Sequence, residues 1–237
     1  MSASLARRLF AELLGTAFLL IAVIGSGIAA QRLSPGDTGL QLLENALATG
    51  AALVALIIAF GPVSGAHFNP LVTIADRVFG GVKNGEATGY VCAQVVGAAL
   101  GAVVANLMFD LPAVEWSTKV RDGSGLFLSE VVATFGLLLV IFGVVRSGRA
   151  VLAPFAVGAY ITGAYFFTSS TSFANPAVTL ARTLTNTFAG IAPESVPLFL
   201  AAQVVGCALA LLTIRVLFVD VGQVAPELLM PHEEGAR

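Results

Sequence analysis

Six long stretches of the chain carry no Asp, Glu, Lys or Arg: 13–31, 45–75, 87–109, 131–145, 150–181 and 195–214. A helix that crosses a bilayer needs about 20 mainly apolar residues. Four of the stretches fit one spanning helix each, the fourth once extended back over Gly125 to Glu130. The other two are too long for one span and too short for two spans with a turn. Each contains one Asn-Pro pair, Asn69-Pro70 and Asn175-Pro176. Asn favours the N-cap of a helix, and Pro suits the first helical position, where its missing N–H is not needed. Each pair therefore predicts a new helix start, with the helices running to about Phe79 and about Thr185. Ten or so residues rise about 15 Å, half of the ~30 Å hydrocarbon core, so these are expected to be half-helices that enter the membrane without crossing it. The segments leading into them, Gly61 to Phe68 and Thr168 to Ala174, are predicted loops of small and polar residues. Such backbone is tolerated at membrane depth only where protein buries it or water bathes it.

The pattern occurs twice. Phe10-Ala-Glu12-Leu-Leu-Gly-Thr16 is similar to Leu128-Ser-Glu130-Val-Val-Ala-Thr134, each with Glu and Thr four apart near the start of a span. Asn69-Pro-Leu-Val-Thr73 matches Asn175-Pro-Ala-Val-Thr179, and Ala93-Gln-Val-Val-Gly97 recurs as Ala202-Gln-Val-Val-Gly206. The three matches keep one order, at offsets of 118, 106 and 109 residues. This predicts a single membrane domain over 1–237, built of repeat 1 (about 1–115), repeat 2 (about 122–220) and a short tail, 221–237. Three spans per half is an odd number, so the second half enters from the opposite face. The predicted fold is an all-α membrane protein, with six transmembrane helices and two re-entrant half-helices in an inverted repeat. Its site is expected at the midplane, where the two Asn-Pro starts face each other.

Composition agrees. The 237 residues are 57% hydrophobic and 11% charged, against about 45–50% and about 25% in soluble domains. Twelve basic and fourteen acidic residues nearly cancel, which leaves no basic surface for a nucleic acid. Cys92 and Cys207 lie in apolar stretches, and His67 and His232 are too scattered for a metal cluster. No metal or cofactor is expected, and no nucleophile–base pair supports an enzyme. Arg7, Arg8, Arg77, Lys83, Arg146 and Arg149 fall on one side of the predicted topology, Arg32, Lys119, Arg121 and Arg182 on the other. That bias predicts both termini in the cytoplasm of a multi-pass protein of the inner or plasma membrane. Arg7-Arg8 before an apolar run, with Ala29-Ala30 after it, could mimic an export signal. The run is nevertheless the repeat partner of the fourth span. The tail beyond Val219, with Pro226, Pro231, Glu233 and Glu234, is expected to be a short mobile end.

A helix start carries about half a positive charge on its unpaired N–H groups. Two starts meeting at the midplane repel cations and tolerate neutral solutes. The amides of Asn69 and Asn175 can donate toward a lumen, and loop carbonyls can accept. The expected result is a passive polar track for small uncharged molecules.

Ser64-Gly-Ala-His-Phe-Asn-Pro-Leu-Val-Thr73 and Phe173-Ala-Asn-Pro-Ala-Val-Thr179 closely resemble the paired signatures of the aquaporin, or major intrinsic protein, family. The resemblance covers about residues 8–220. It implies a pore in each subunit of a homotetramer, with small neutral solutes and water as its partners and the bilayer around it. It also implies that Glu12 and Glu130 support the re-entrant loops, and that His67 lines the cytoplasmic half of the pore. The midplane motifs would be Asn69, Pro70, Leu71 and Asn175, Pro176, Ala177.

The departures from the family pattern carry more information. Leu71 stands where the family usually has Ala, and Val178 where most members have the Arg of the outer constriction. Thr179 replaces the Asp that commonly follows that Arg in glycerol facilitators. Arg182 lies one helical turn further on and is expected not to restore the charge. Spacing carries over Thr49 and Ser172 as filter positions. The fifth-span position is Gly163 when counted back from Asn175, and Tyr165 when counted from Ala153-Pro154. With Gly163 the set is Thr49, Gly163, Ser172 and Val178, which is small, uncharged and wide. The Val-for-Arg exchange at Val178, with a second loop so like the first, resembles a bacterial aquaglyceroporin-type subgroup associated with arsenic resistance. Polyols such as glycerol, urea and neutral metalloid acids such as arsenous acid are the implied solutes. The alternative is a water-selective channel, if Tyr165 and Arg182 narrow the mouth. An ion or proton carrier lacks intramembrane acids beyond the two Glu, and a closed structural protein would not need an open filter.

Overall fold

A computed structural model describes residues 3–218. The tail and His232 lie outside the described residues. The helices are α1 (Leu5–Leu33), α2 (Thr38–Ser64), α3 (Pro70–Val78), α4 (Asn84–Met108), α5 (Ser124–Arg146), α6 (Ala153–Phe167), α7 (Pro176–Ala181) and α8 (Val196–Leu217). Short 3-10 turns cover Ala150–Leu152, Arg182–Leu184 and Pro193–Ser195. Among the described residues six helices are long and apolar enough to cross a membrane: α1, α2, α4, α5, α6 with its preceding turn, and α8 with its own. The short helices α3 and α7 are the two expected half-helices.

Local chemistry sets the boundaries. The Asp37 carboxylate caps α2 by accepting from the Leu40 N–H at 2.9 Å. The first re-entrant loop is shorter than Gly61 to Phe68, because α2 continues through Pro62 to Ser64. Proline costs the helix one N–H there, and the turn still closes. The stop is Gly65, whose φ of 87° lies in the left-handed region that a Cβ disfavours. The second loop runs from Thr168, as expected. Beyond it α7 ends at Ala181, and the chain tightens to 3-10 geometry up to Leu184.

Packing brings the half-helices to the centre. The α1 helix lies against α2 and α4, α5 against α6 and α8, and α2 against α6. Both half-helices pack on α8 or α4 and on each other: α3 on α4, α8 and α7, and α7 on α4 and α8. Close approach depends on small residues. A Cβ on Gly97 would collide with the Leu13 carbonyl, and one on Gly101 with the Ala17 carbonyl. Outward-facing side chains such as Phe18, Ile58, Val104, Phe155 and Leu212 are apolar and exposed, which suits lipid or a neighbouring subunit rather than water.

Candidate functional site

Each half-helix begins at an Asn that binds in two directions. The Asn69 Oδ1 accepts from the Leu71 N–H at 2.9 Å, and its Nδ2 donates to the Ala174 carbonyl at 2.8 Å. The Asn175 Oδ1 accepts from the N–H groups of Ala177 and Val178 at 3.0 and 3.3 Å, and its Nδ2 donates to the Phe68 carbonyl at 2.8 Å. Each Asn thus caps its own helix and ties it to the loop that leads into the other. A primary amide carries two N–H groups. The second on each Asn is left for the cavity that both residues line.

The loops need holding. Ala66, Phe68, Ser172 and Ala174 have φ of 51°, 48°, 50° and 48°, conformations that cost a side-chain-bearing residue about 1–3 kcal/mol each. Glu12 holds the first loop from behind. It accepts from the N–H groups of His67 and Phe68 at 3.0 and 2.8 Å and from the Ser64 hydroxyl at 2.7 Å. Glu130 holds the second, accepting from Phe173 and Ala174 N–H at 2.8 and 2.9 Å. Both carboxylates are fully buried. In a trans peptide the carbonyl points opposite to the N–H. The carbonyls of Ala66, His67, Ser172 and Phe173 therefore face away from the carboxylates, toward the cavity these residues line.

A second layer was not legible as function. Gln94 donates to Glu12 at 2.8 Å and to the Thr73 hydroxyl at 2.9 Å. Gln203 donates to Glu130 at 2.7 Å and to the Thr179 hydroxyl at 2.8 Å. The signal was the identical Ala-Gln-Val-Val-Gly block in both halves. It marks the Gln without saying where it points.

The cavity between the loops is about 90 Å³, room for several waters. Leu19, Val23, Leu53, Val157 and Ile161 form apolar wall. Thr49, Ser172, Val178 and His67 line it. Leu71 and Ala177 are buried in the core, and neither they nor Pro70 and Pro176 line the cavity. Gly163 does not line it either: it is exposed on the far face of α6, beside the Phe167 ring. Two residues on, about 200° around the helix, Tyr165 is buried and lines the cavity, its hydroxyl 3.2 Å from the Thr49 hydroxyl. The count from Ala153-Pro154 found the inward face, and the count from Asn175 is corrected. Ser172 Oγ and His67 Nε2 are buried without a hydrogen-bond partner, while His67 Nδ1 lies 3.0 Å from the Thr73 hydroxyl.

Arg182 also lines the cavity, with 2% of its surface exposed. Its Nε donates to the Ala189 carbonyl, and its guanidinium lies 3.4 Å from the centroid of the Phe173 ring. Arg121 lies 5.1 Å from the same ring and donates through Nε to the Gly190 carbonyl at 2.9 Å. Burial pushes the Arg121 guanidinium down to about 10, with Glu130 and Tyr165 acting against the shift, so it stays charged at neutral pH. Among the described residues no group of three or more His, Cys, Asp or Glu is gathered to hold a metal.

Comparison with known proteins agrees with this geometry. A family profile described as major intrinsic protein matches residues 1–174. The chain is 51% identical over 210 residues to the aquaglyceroporin AqpS of Rhizobium meliloti (strain 1021), covering 88% of this chain and 89% of that one. It is 30% identical over 214 residues to the probable aquaporin NIP7-1 of Arabidopsis thaliana, covering 88% and 76%. The X-ray structure of the aquaglyceroporin from Plasmodium falciparum superimposes with a TM-score of 0.70 at 23% identity, over 94% of this chain and 99% of that one. That last likeness is one of fold.

Proposed function

The chain belongs to the major intrinsic protein family, and from that premise we propose a passive pore for polyols such as glycerol, neutral metalloid acids such as arsenous acid, and water. It is a multi-pass membrane channel for small solutes and not an enzyme. The pore runs through each subunit of a homotetramer in the plasma membrane, with both termini in the cytoplasm. Arg8 and Arg77 bond to Glu86 and Asn84 at one end of the bundle, the end assigned to the cytoplasm by the excess of Lys and Arg.

The observation that carries the substrate reading is Val178 on a cavity wall that also carries three hydroxyl groups. Thr49, Tyr165 and Ser172 offer donors and acceptors. Val178 offers an apolar surface without charge. A polyol presents the same two kinds of surface, hydroxyl groups and a carbon backbone, and such a pocket orients it with few polar contacts. Asn69 and Asn175 then donate at the midplane, and His67 lines the passage beyond. Glu12 and Glu130 keep the loops in shape and do not meet the solute.

Val178→Arg tests this in proteoliposomes. The account expects glycerol and arsenous acid influx to fall at least tenfold, with a smaller fall in water permeability. Equal losses for water and solutes, or no change, would contradict it. A second reading has an observation in its favour: Tyr165 puts an aromatic side chain on the cavity wall, as a narrower water pore would have. Fast water without glycerol flux would decide for that reading.

A further inference from the structure

Val178 removes the charge from one position of the cavity wall, and the residue one helical turn further along the same face is an arginine. Residues four apart on a helical stretch are neighbours, so Arg182 follows Val178 toward the end of the cavity away from the midplane. Three features fix it there. Its Nε is tied to the Ala189 carbonyl. Its plane rests on Phe173, whose ring also sits beside Arg121. Its own carbonyl accepts from the Ile191 N–H at 3.2 Å. The two terminal nitrogens have no hydrogen-bond partner among the described residues, although the residue is almost wholly buried and lines the cavity. No carboxylate among the described residues pairs with Arg182 or Arg121. Glu130, the acid of this half, is already engaged by two loop N–H groups and Gln203.

We propose that Arg182 is a specificity-determining residue of the channel: a fixed, unneutralised guanidinium that excludes cations from a mouth whose width is set by Val178. This rests on the solute-channel reading above. It separates two properties that one residue at position 178 would combine. Size selection is relaxed at Val178, while charge selection is kept one turn away, where the guanidinium lies over the Phe173 ring. A charge in a confined, poorly hydrated passage acts far more strongly than one in bulk water. A solute that carries a positive charge meets that field together with the two helix starts at the midplane.

The test compares urea with guanidinium, planar solutes of nearly equal size that differ in charge. Influx of each is measured in proteoliposomes holding wild type, Arg182→Gln, Arg182→Met or Arg182→Lys. Met keeps the stem that packs on Phe173, and serves if the Gln variant does not fold. The wild type is expected to pass urea and exclude guanidinium. Gln or Met at 182 should lower the urea-to-guanidinium ratio at least tenfold, and Lys should keep it near the wild-type value. A folded Gln or Met variant with the wild-type ratio would overturn the proposal while leaving the solute channel standing. A wild type that passes neither urea nor glycerol would overturn the solute-channel reading and this inference with it.

Discussion

The two re-entrant loops are built on the same frame and filled with different chemistry. In each, a buried Glu accepts from two consecutive loop N–H groups, and a Gln links that Glu to a Thr on the half-helix. The Asn cap of each reaches a carbonyl of the other at the same 2.8 Å. The residue two before each Asn and the residue seven after it depart from this equivalence. In the first half they are His67 and Asp76, with His67 Nε2 3.7 Å from Asp76 Oδ2. In the second they are Phe173 and Arg182, stacked at 3.4 Å. Where backbone has to be held against strain, the same solution serves twice. Where side chains set the charge near each end of the passage, the halves diverge.

The largest expected effect comes from removing the shared frame. Glu12→Ala would orphan two loop N–H groups, the Ser64 O–H and one Gln94 N–H. Each buried orphan costs about 1–3 kcal/mol, against a total stability of roughly 5–15 kcal/mol. Neither Glu12→Ala nor Glu130→Ala should yield a monodisperse peak by size-exclusion chromatography in detergent. A well-folded Glu130→Ala would show that the second loop does not need its acid, and would break the equivalence.

Asn69→Ala and Asn175→Ala come next. Each loses a cap of about 1 kcal/mol and leaves the opposite loop carbonyl, Ala174 or Phe68, without its donor. The two variants should lower the thermal melting midpoint by similar amounts, and a clear inequality would mean that one loop carries the other. Phe173→Leu should then separate the halves. It removes two guanidinium–ring contacts, worth about 0.5–1 kcal/mol each or more when desolvated, and an edge contact to Phe199 at 4.9 Å. The equivalent His67→Leu loses a ring contact to Tyr90 at 5.2 Å and the Thr73 hydrogen bond but no guanidinium stack, so its midpoint should fall less. The smallest effect is expected from Thr49→Val, which loses one hydrogen bond to Tyr165, about 1 kcal/mol. It should show more clearly in glycerol flux than in melting.

The frame was legible because it rests on strong local signals. Asn followed by Pro suits a helix start, and two copies in matching places single out that reading over an ordinary turn. The first loop is shorter than the sequence implies, because Gly61-Pro62 looks like a break there while α2 continues to Ser64. In the helix it costs only one hydrogen bond, and Gly65 makes the turn. Thr49, whose span aligns without a gap, lines the cavity. Position 163 faces away from it: the shortened second loop gives two landmarks that disagree by two residues, and two residues reverse a helical face. Arg121 and its shared ring with Arg182 were beyond reach, since a connecting segment carries no periodicity to say what it covers.

Water and glycerol permeability measured by stopped-flow light scattering on one preparation of wild-type proteoliposomes tests the central claim most directly. The account predicts glycerol equilibration at least tenfold faster than in protein-free vesicles, alongside raised water permeability. Raised water permeability with glycerol flux no faster than through bare lipid would contradict the wide passage at Val178.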